Sequence, residues 1–438
     1  MKSERKSLRQ LFVPICLELI CFMLAGMVDT LMLSTVSDQV VGAVGTSNSY
    51  ISIFIIMFSI ISTGMIAVMT QYIGAKKESI AIQACKIGAV FNLLVGIVFS
   101  VILFFFAGNI LDVIGIASAL REPAVEYMKI VGGGVVLNAM IPIFSSCLRS
   151  FGHTKWPMYA TLFGNAVNIV LNAVFLFGLQ MGVKGVAIAT VISRVVNLII
   201  VIWAARKLFY VDKNAVKESN RYVFGQIIKI GLPSALETAL YNLAMIFVVR
   251  FLNQMDADGL NVTARSYAMQ IINFSFCVGA ALAQANAIIV GWRLGAKEYD
   301  ECDRGTNKAA VIGIIAGAGI ALVLAFCGKW IIPIFTDDPL LISLVTKILY
   351  VDVVLEVGRV TNLVYGNALK TSGDAVFPMV IAAIFMYLCA VGGTYILGVK
   401  MELLVVGAYI GMAMDECIRA ICMFARWKRG KWRSKSIA

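Results

Sequence analysis

Residues 11–35, LFVPICLELICFMLAGMVDTLMLST, set the fold class. The run is almost wholly apolar, and it exceeds the ~20 helical residues that cross a hydrocarbon core of ~30 Å. It reads as a transmembrane helix. Yet it holds two carboxylates, Glu18 and Asp29. An ionisable group at membrane depth costs at least ~2.5 kcal/mol on insertion scales, so each is a functional candidate. Eleven residues make close to three helical turns, which puts both on nearly one face, about 16 Å apart along the axis. Asp29 is the deeper puzzle, because nothing basic lies near it in the sequence.

The rest of the chain has the same character. Of its 438 residues 60% are hydrophobic and only 14% charged, with mean hydropathy +0.88. A soluble domain carries roughly 25% charged residues, so this composition reads as an all-α integral membrane protein. Twelve apolar runs stand out, at 10–35, 43–70, 85–107, 125–148, 157–180, 185–208, 226–252, 265–290, 306–328, 342–368, 376–398 and 403–426. A basic stretch at 206–229, with Arg206, Lys207, Lys213, Lys217, Arg221 and Lys229, divides them six and six.

The net charge of +12 raises the question of nucleic acid. Assigning loops to alternate sides answers it. Lys and Arg number 26 on the side of the termini and 7 on the other, which places both termini in the cytoplasm. That bias accounts for the pI of about 9.2 without a nucleic-acid partner. The head MKSERKSLRQ has no cleavage site after it and reads as the lead into a first span, not a signal peptide. In the tail WKRGKWRSKSIA, Trp427 and Trp432 among basic residues suit an interfacial anchor. The ten cysteines are scattered and form no CxxC, and the single histidine, His153, is in a loop. No disulfide, cofactor or histidine metal site is expected.

The chain repeats itself. Pro14 and Glu18 recur as Pro233 and Glu237, and Gly74-Ala75-Lys76 recurs as Gly295-Ala296-Lys297. Leu148-Arg149 with Gly152 and Pro157 recurs as Leu369-Lys370 with Gly373 and Pro378, and Gly185 recurs as Gly407. All offsets lie between 219 and 222 residues. An even number of spans per copy predicts two parallel six-helix bundles with a cavity between them, a plan suited to alternating access. The expected boundaries are 1–208 for the N-lobe, 209–225 for a cytoplasmic linker, 226–427 for the C-lobe and 428–438 for a basic tail.

Depth groups some polar residues. Asp29 of span one, Asn172 of span five and Thr190 of span six fall about 9–12 Å below the outer surface, with Asn168 a turn deeper. This oxygen-rich set could hold a small hard cation or support a carboxyl that takes up and releases a proton. Interhelical hydrogen-bond glue is the plain alternative for the asparagines and the threonine. The second copy has no carboxylate at the place of Asp29. It carries Glu237, then Asp352, Glu356 and Arg359, then Asp415, Glu416 and Arg419, whose helical spacing allows self-neutralised ion pairs or a second coupling network. There is no Walker A motif, so ATP is not expected to drive the chain.

These residues, taken in order, resemble the multidrug and toxic compound extrusion (MATE) family over essentially the whole chain. The resemblance is carried by Pro14 with Met27-Val28-Asp29-Thr30, Tyr72-Ile73-Gly74-Ala75 and Leu148-Arg149-Ser150-Phe151-Gly152 with Pro157. It continues through Asn165 to Asn172, Gly185 to Thr190 with Ser193-Arg194, Gly231-Leu232-Pro233, Ala368 to Asp374 and Arg426-Trp427-Lys428. It implies a twelve-helix exporter of organic cations and drugs, coupled to inward H+ or Na+. It places the coupling site at Asp29, Asn168, Asn172 and Thr190, and a helix 1 bend at Pro14. There are departures: Asn172 stands where some members have aspartate, Arg359 occupies the helix 10 position of a second site, and Glu237 lies a turn before its helix 7 position. His153 replaces the more usual aspartate of its loop.

The expected protein is therefore not an enzyme. It is a monomeric, multi-pass cell-membrane antiporter for small organic cations, with no metal beyond Na+ at Asp29. Glu18 is expected to meet a cationic substrate or a basic loop residue. The competing reading is a lipid-linked sugar flippase of the same superfamily, whose cavity would need several arginines for phosphates.

Overall fold

The computed structural model describes residues 5–35, 38–114, 116, 118–209, 217–255 and 258–437. Residues 1–4, residues 210–216 with Lys213 of the expected linker, and Ala438 of the expected tail lie outside the described residues. No strand occurs among the described residues, and the chain divides into two compact units, Met1–Gly231 and Leu232–Ala438.

Unit 1 begins with α1 (Leu8–Ser34), which runs unbroken through Pro14 in its second turn. Its start is secured by Gln10, whose Oε1 accepts from the Ser7 backbone N–H at 3.0 Å. Next come α2 (Asp38–Gly74) and α3 (Glu78–Phe105), then the short α4 (Ala107–Ile114) and α5 (Ser118–Tyr127). Arg121 Nε donates to Asp112 Oδ1 at 2.6 Å and ties these two together. A π-helical turn, Met128–Gly132, leads into α6 (Val135–Ser150) with a bend of 41°. The three glycines 132–134 sit at that break, where a π-turn and missing side chains let the axis change direction. Then follow α7 (Lys155–Ala173), extended by a second π-turn to Gly178, and α8 (Gly182–Ala205). The unit boundary falls inside α9 (Asn220–Met255).

Unit 2 continues with α10 (Leu260–Gly295), α11 (Tyr299–Ile331) and α12 (Pro339–Thr371). It closes with α13 (Val376–Phe385), prolonged by π-turns Met386–Val391 and Thr394–Lys400, and with α14 (Leu404–Lys428).

Among the described residues nine helices are long and apolar enough to cross a membrane, ten with the bent pair around Gly132. The other two long helices, α12 and α14 with 33 and 25 residues, have the length but carry buried acids and arginines. The total agrees with the twelve runs. Large apolar side chains lie exposed on both units, such as Phe22, Leu94 and Phe105, and Ile315, Phe326 and Ile421, as lipid contact requires. Each unit also has its own apolar core, around Phe58, Leu103 and Met128 in the first and around Val248, Ile271 and Ile348 in the second.

The duplication is visible in the backbone. Lys76 and Lys297 both take a left-handed conformation, φ 61° and 62°, after α2 and α10. In both turns the next amide reaches back five residues, Lys77 N to Tyr72 O and Glu298 N to Arg293 O. The same cap recurs after α6 and α12, with Gly152 (φ 84°) and Gly373 (φ 95°) in the left-handed position. Glycine is needed for close approach at another point: a Cβ on Gly64 would strike Ile227 O, and one on Gly231 would strike Ile60 O, so α2 and α9 cross backbone to backbone.

The tail differs from expectation. Trp427 and Trp432 are not interfacial anchors. Each is 1% exposed, and their rings stack at 4.2 Å and 5°. Trp427 Nε1 donates to Asp303 Oδ1 at 2.8 Å, and Trp432 Nε1 to Trp427 O at 2.9 Å. Asp374 accepts from Arg426 at 2.8 Å and from Lys435 at 2.5 Å. Burial alone would raise the Asp374 pKa, but the hydrogen bonds and charges of Arg426 and Lys435 outweigh it and hold the carboxyl below its usual value. Buried indole partners and acids within reach drew the tail onto unit 2.

Candidate functional site

The polar groups of unit 1 gather where α1 packs along α7. Thr161, Asn165, Asn168 and Asn172 recur at spacings of four, three and four residues, which is one face of a helix. That face meets the Glu18–Asp29 face of α1. Thr161 Oγ1 reaches Glu18 Oε1 at 3.5 Å, Asn165 Nδ2 donates to Cys21 O at 3.1 Å, and Asn172 Nδ2 donates to Asp29 Oδ1 at 2.9 Å. Asn172 is fully buried, Asn168 nearly so, and Asp29 half-buried.

Asn168 touches the same carboxylate through its amide nitrogen. With nitrogen toward Asp29 it donates to Oδ1 at 2.7 Å and to Oδ2 at 3.2 Å. An ionised carboxylate only accepts hydrogen bonds, so this orientation suits the charged form. The opposite orientation would set the amide oxygen against the carboxylate oxygens, so the nitrogen-first orientation is the one that satisfies both groups.

Among the described residues no hydrogen bond joins Thr190 to Asp29. The Thr190 hydroxyl donates to Val186 O at 2.8 Å and lies within hydrogen-bond reach of Tyr127. The Tyr127 hydroxyl donates to Asn48 Oδ1 at 3.3 Å. Arg194, one turn beyond Thr190 on α8, acts electrostatically on both Asp29 and Tyr127. The residue order showed Asp29, Asn168 and Asn172 as a group. It did not show Asn48 or Tyr127, which carry no charge and lie on other helices, α2 and α5.

Glu18 is paired. Arg149 Nη2, at the end of α6, donates to Glu18 Oε1 at 2.6 Å with both side chains mostly buried. In unit 2 the repeat partners make the same pair: Lys370 Nζ lies 2.8 Å from Glu237 Oε2. Further up unit 2, Arg359 donates to Glu356 at 2.8 Å and lies 3.9 Å from Asp352. Arg419 lies 2.8 Å from Asp415 and 2.7 Å from Glu416, and Asn362 of α12 donates to Glu416 of α14 at 2.9 Å. These carboxylates are each held by a guanidinium on their own helix. Asp29 instead has amide donors and a more distant arginine.

The MatE family model matches the chain twice, over residues 14–174 and 233–396. The chain is 33% identical to the "uncharacterized transporter YisQ" of Bacillus subtilis, over 99% of its own length and 96% of that protein's. It is 23% identical to a "probable multidrug resistance protein NorM" of Thermotoga maritima, over 99% and 94%. One solved structure shares the fold at TM-score 0.89 and 19% identity, covering 98% of this chain and 96% of its own. It is described as the outward-facing conformation of a multidrug resistance MATE family transporter of the MOP superfamily. A MOP superfamily transporter from Pyrococcus furiosus, described as having a binding pocket of reverse polarity, also shares the fold at TM-score 0.89 and 20% identity, over 98% and 96%. With the family model covering most of the chain and a relative matched end to end, the chain belongs to the MatE family and is a multi-pass membrane transporter, not an enzyme.

Proposed function

We propose that this chain exports organic cations in exchange for protons, by alternating access, with Asp29 as the proton-carrying group. The observation that carries this reading is a half-buried carboxylate in a membrane span, Asp29, met by the amide nitrogens of Asn172 and Asn168. A hard cation takes oxygen ligands. Asn172 and Asn168 both turn nitrogen toward the carboxylate, which favours H+ over Na+. Thr190 and Tyr127 are the neighbouring polar pair that shapes the site, and Arg194 limits the charge swing when the proton leaves. Pro14 bends or relaxes α1 as the site changes state. The lobes that alternate are an N-lobe, 1–208, and a C-lobe, 226–427, joined by the linker 209–225. The termini face the cytoplasm of the cell membrane, and the protein works as a monomer without ATP.

The substrate class rests on the relatives described as multidrug resistance proteins and on the arginines. A flippase cavity needs guanidiniums free to hold phosphates, and Arg359 and Arg419 are each engaged by two carboxylates. The test is efflux of ethidium from cells expressing wild type or Asp29→Asn at matched levels. Wild type is expected to export and the variant to fall by roughly a hundredfold, the scale of a lost proton-transfer group. In liposomes a pH gradient, and not a Na+ gradient, should drive uptake. Equal export by both proteins would remove Asp29 from the mechanism, and a Na+ requirement would overturn the proton reading.

A further inference from the structure

The polar face of α7 extends well beyond the two asparagines at Asp29. From Asn172 it continues through Asn168, Asn165 and Thr161 to Glu18 and Arg149. Packing two helices does not require this, as the repeat shows. At an offset of 221 the same four positions of α13 and its extension are Ala382, Met386, Cys389 and Gly393. Ala382 and Met386 there form an apolar cluster with Ala244 of α9. At both ends of the polar seam a buried oxygen has no partner among the described residues: Glu18 Oε2 and Asn172 Oδ1. Buried polar atoms in a site this polar are satisfied by water. The charged groups along the seam are Asp29 with Arg194 near it, and Glu18 with Arg149 against it.

We propose that the α1–α7 seam is a hydrated proton path, and that Glu18 receives the coupling proton released by Asp29. The proposal rests on the proton reading of Asp29. One O–H bond breaks at Asp29, water in the seam relays the proton, and one O–H bond forms at Glu18. No oxidant or further reactant takes part. The asparagines and Thr161 order the water and keep their own protons. Protonated Glu18 loses its charge and with it the ion pair to Arg149. Re-forming that pair expels the proton toward the side that carries the termini. Glu237 and Lys370 hold their pair without such a path, because the four matching positions of their seam, Ala382, Met386, Cys389 and Gly393, carry no amide or hydroxyl side chain.

The test uses the full chain in liposomes, with ethidium as substrate and a pH-sensitive dye inside. Glu18→Gln and Asn165→Leu should bind ethidium and pass it down its own gradient as wild type does. Their proton-coupled transport should fall roughly tenfold or more, the scale for one relay group. Glu18→Asp should recover part of the rate, and Met386→Leu, in the apolar seam, should change neither rate. Wild-type coupled transport in Glu18→Gln and Asn165→Leu, with Asp29→Asn inactive, overturns the path and leaves Asp29 in place. Full coupled transport in Asp29→Asn overturns both readings. Loss of downhill passage along with coupling would show a structural seam and overturns the path as well.

Discussion

The α1–α7 seam and its repeat, the α9–α13 seam, start alike and end differently. Each has a proline followed four residues later by a glutamate, and each glutamate meets a base that precedes a left-handed glycine. Beyond that point unit 1 lines its seam with amides and hydroxyls up to Asp29. Unit 2 fills its own with Ala244, Ala382 and Met386. The shared part is therefore architecture common to both copies, and the divergent part is where the proposed proton site lies. Unit 2 also places its carboxylates differently, on α12 and α14, each beside an arginine of the same helix.

The most severe challenge to this contrast is Val248→Asp, which sets a carboxylate near the place in unit 2 that Asp29 holds in unit 1. Val248 is fully buried among apolar neighbours such as Leu252. The cost should be at least ~2.5 kcal/mol, seen as a large drop in the melting temperature of detergent-purified protein. A variant as stable as wild type would show that the second seam accommodates charge, and the contrast would fail.

Removing the shared base comes next. Arg149→Met and Lys370→Met each leave a mostly buried glutamate without its partner, at about 1–3 kcal/mol. Adding Glu18→Gln or Glu237→Gln should restore much of that stability. If only one of the two pairs shows this coupling, the pair is not common architecture. Lys370→Arg, which copies unit 1, should stay within about 0.5 kcal/mol of wild type in the same measurement.

The smallest effect concerns the tail. Asp374 is held below its ordinary pKa by Arg426 and Lys435. A depressed acid contributes stability above its unfolded pKa of about 3.9 and loses it as pH falls through the lower folded value. Protease resistance of the tail should thus be flat from pH 8 to 5 and decline only in stronger acid. A decline between pH 7 and 6 would show that a group other than Asp374 holds the tail.

Part of this could be read directly from the chain. The pairs Glu356–Arg359 and Asp415–Arg419 were legible because their partners are three or four residues apart, a distance that helix geometry sets by itself. Asp29 stood out because a carboxylate in an apolar run is costly anywhere in a bilayer. Trp427 and Trp432 misled, because an aromatic among basic residues looks the same whether it meets headgroups or stacks on a second indole. Tyr127 and Asn48 were silent for a related reason: a hydroxyl or an amide in a helix is unremarkable until its neighbour is known.

The residue order alone was sufficient for the membrane class, the twelve spans, the duplication and the carboxylates that needed an explanation. Each follows from local quantities: apolar length against bilayer thickness, motif offset, and the cost of charge in hydrocarbon. Tertiary structure decided which base neutralises Glu18, 131 residues away, and that the Asn172 amide addresses Asp29, 143 residues away. It also decided that one seam is polar throughout while its repeat is not. Contacts at such separations are set by how helices pack, and a hydrogen bond exists only once both partners have been brought within about 3 Å of each other.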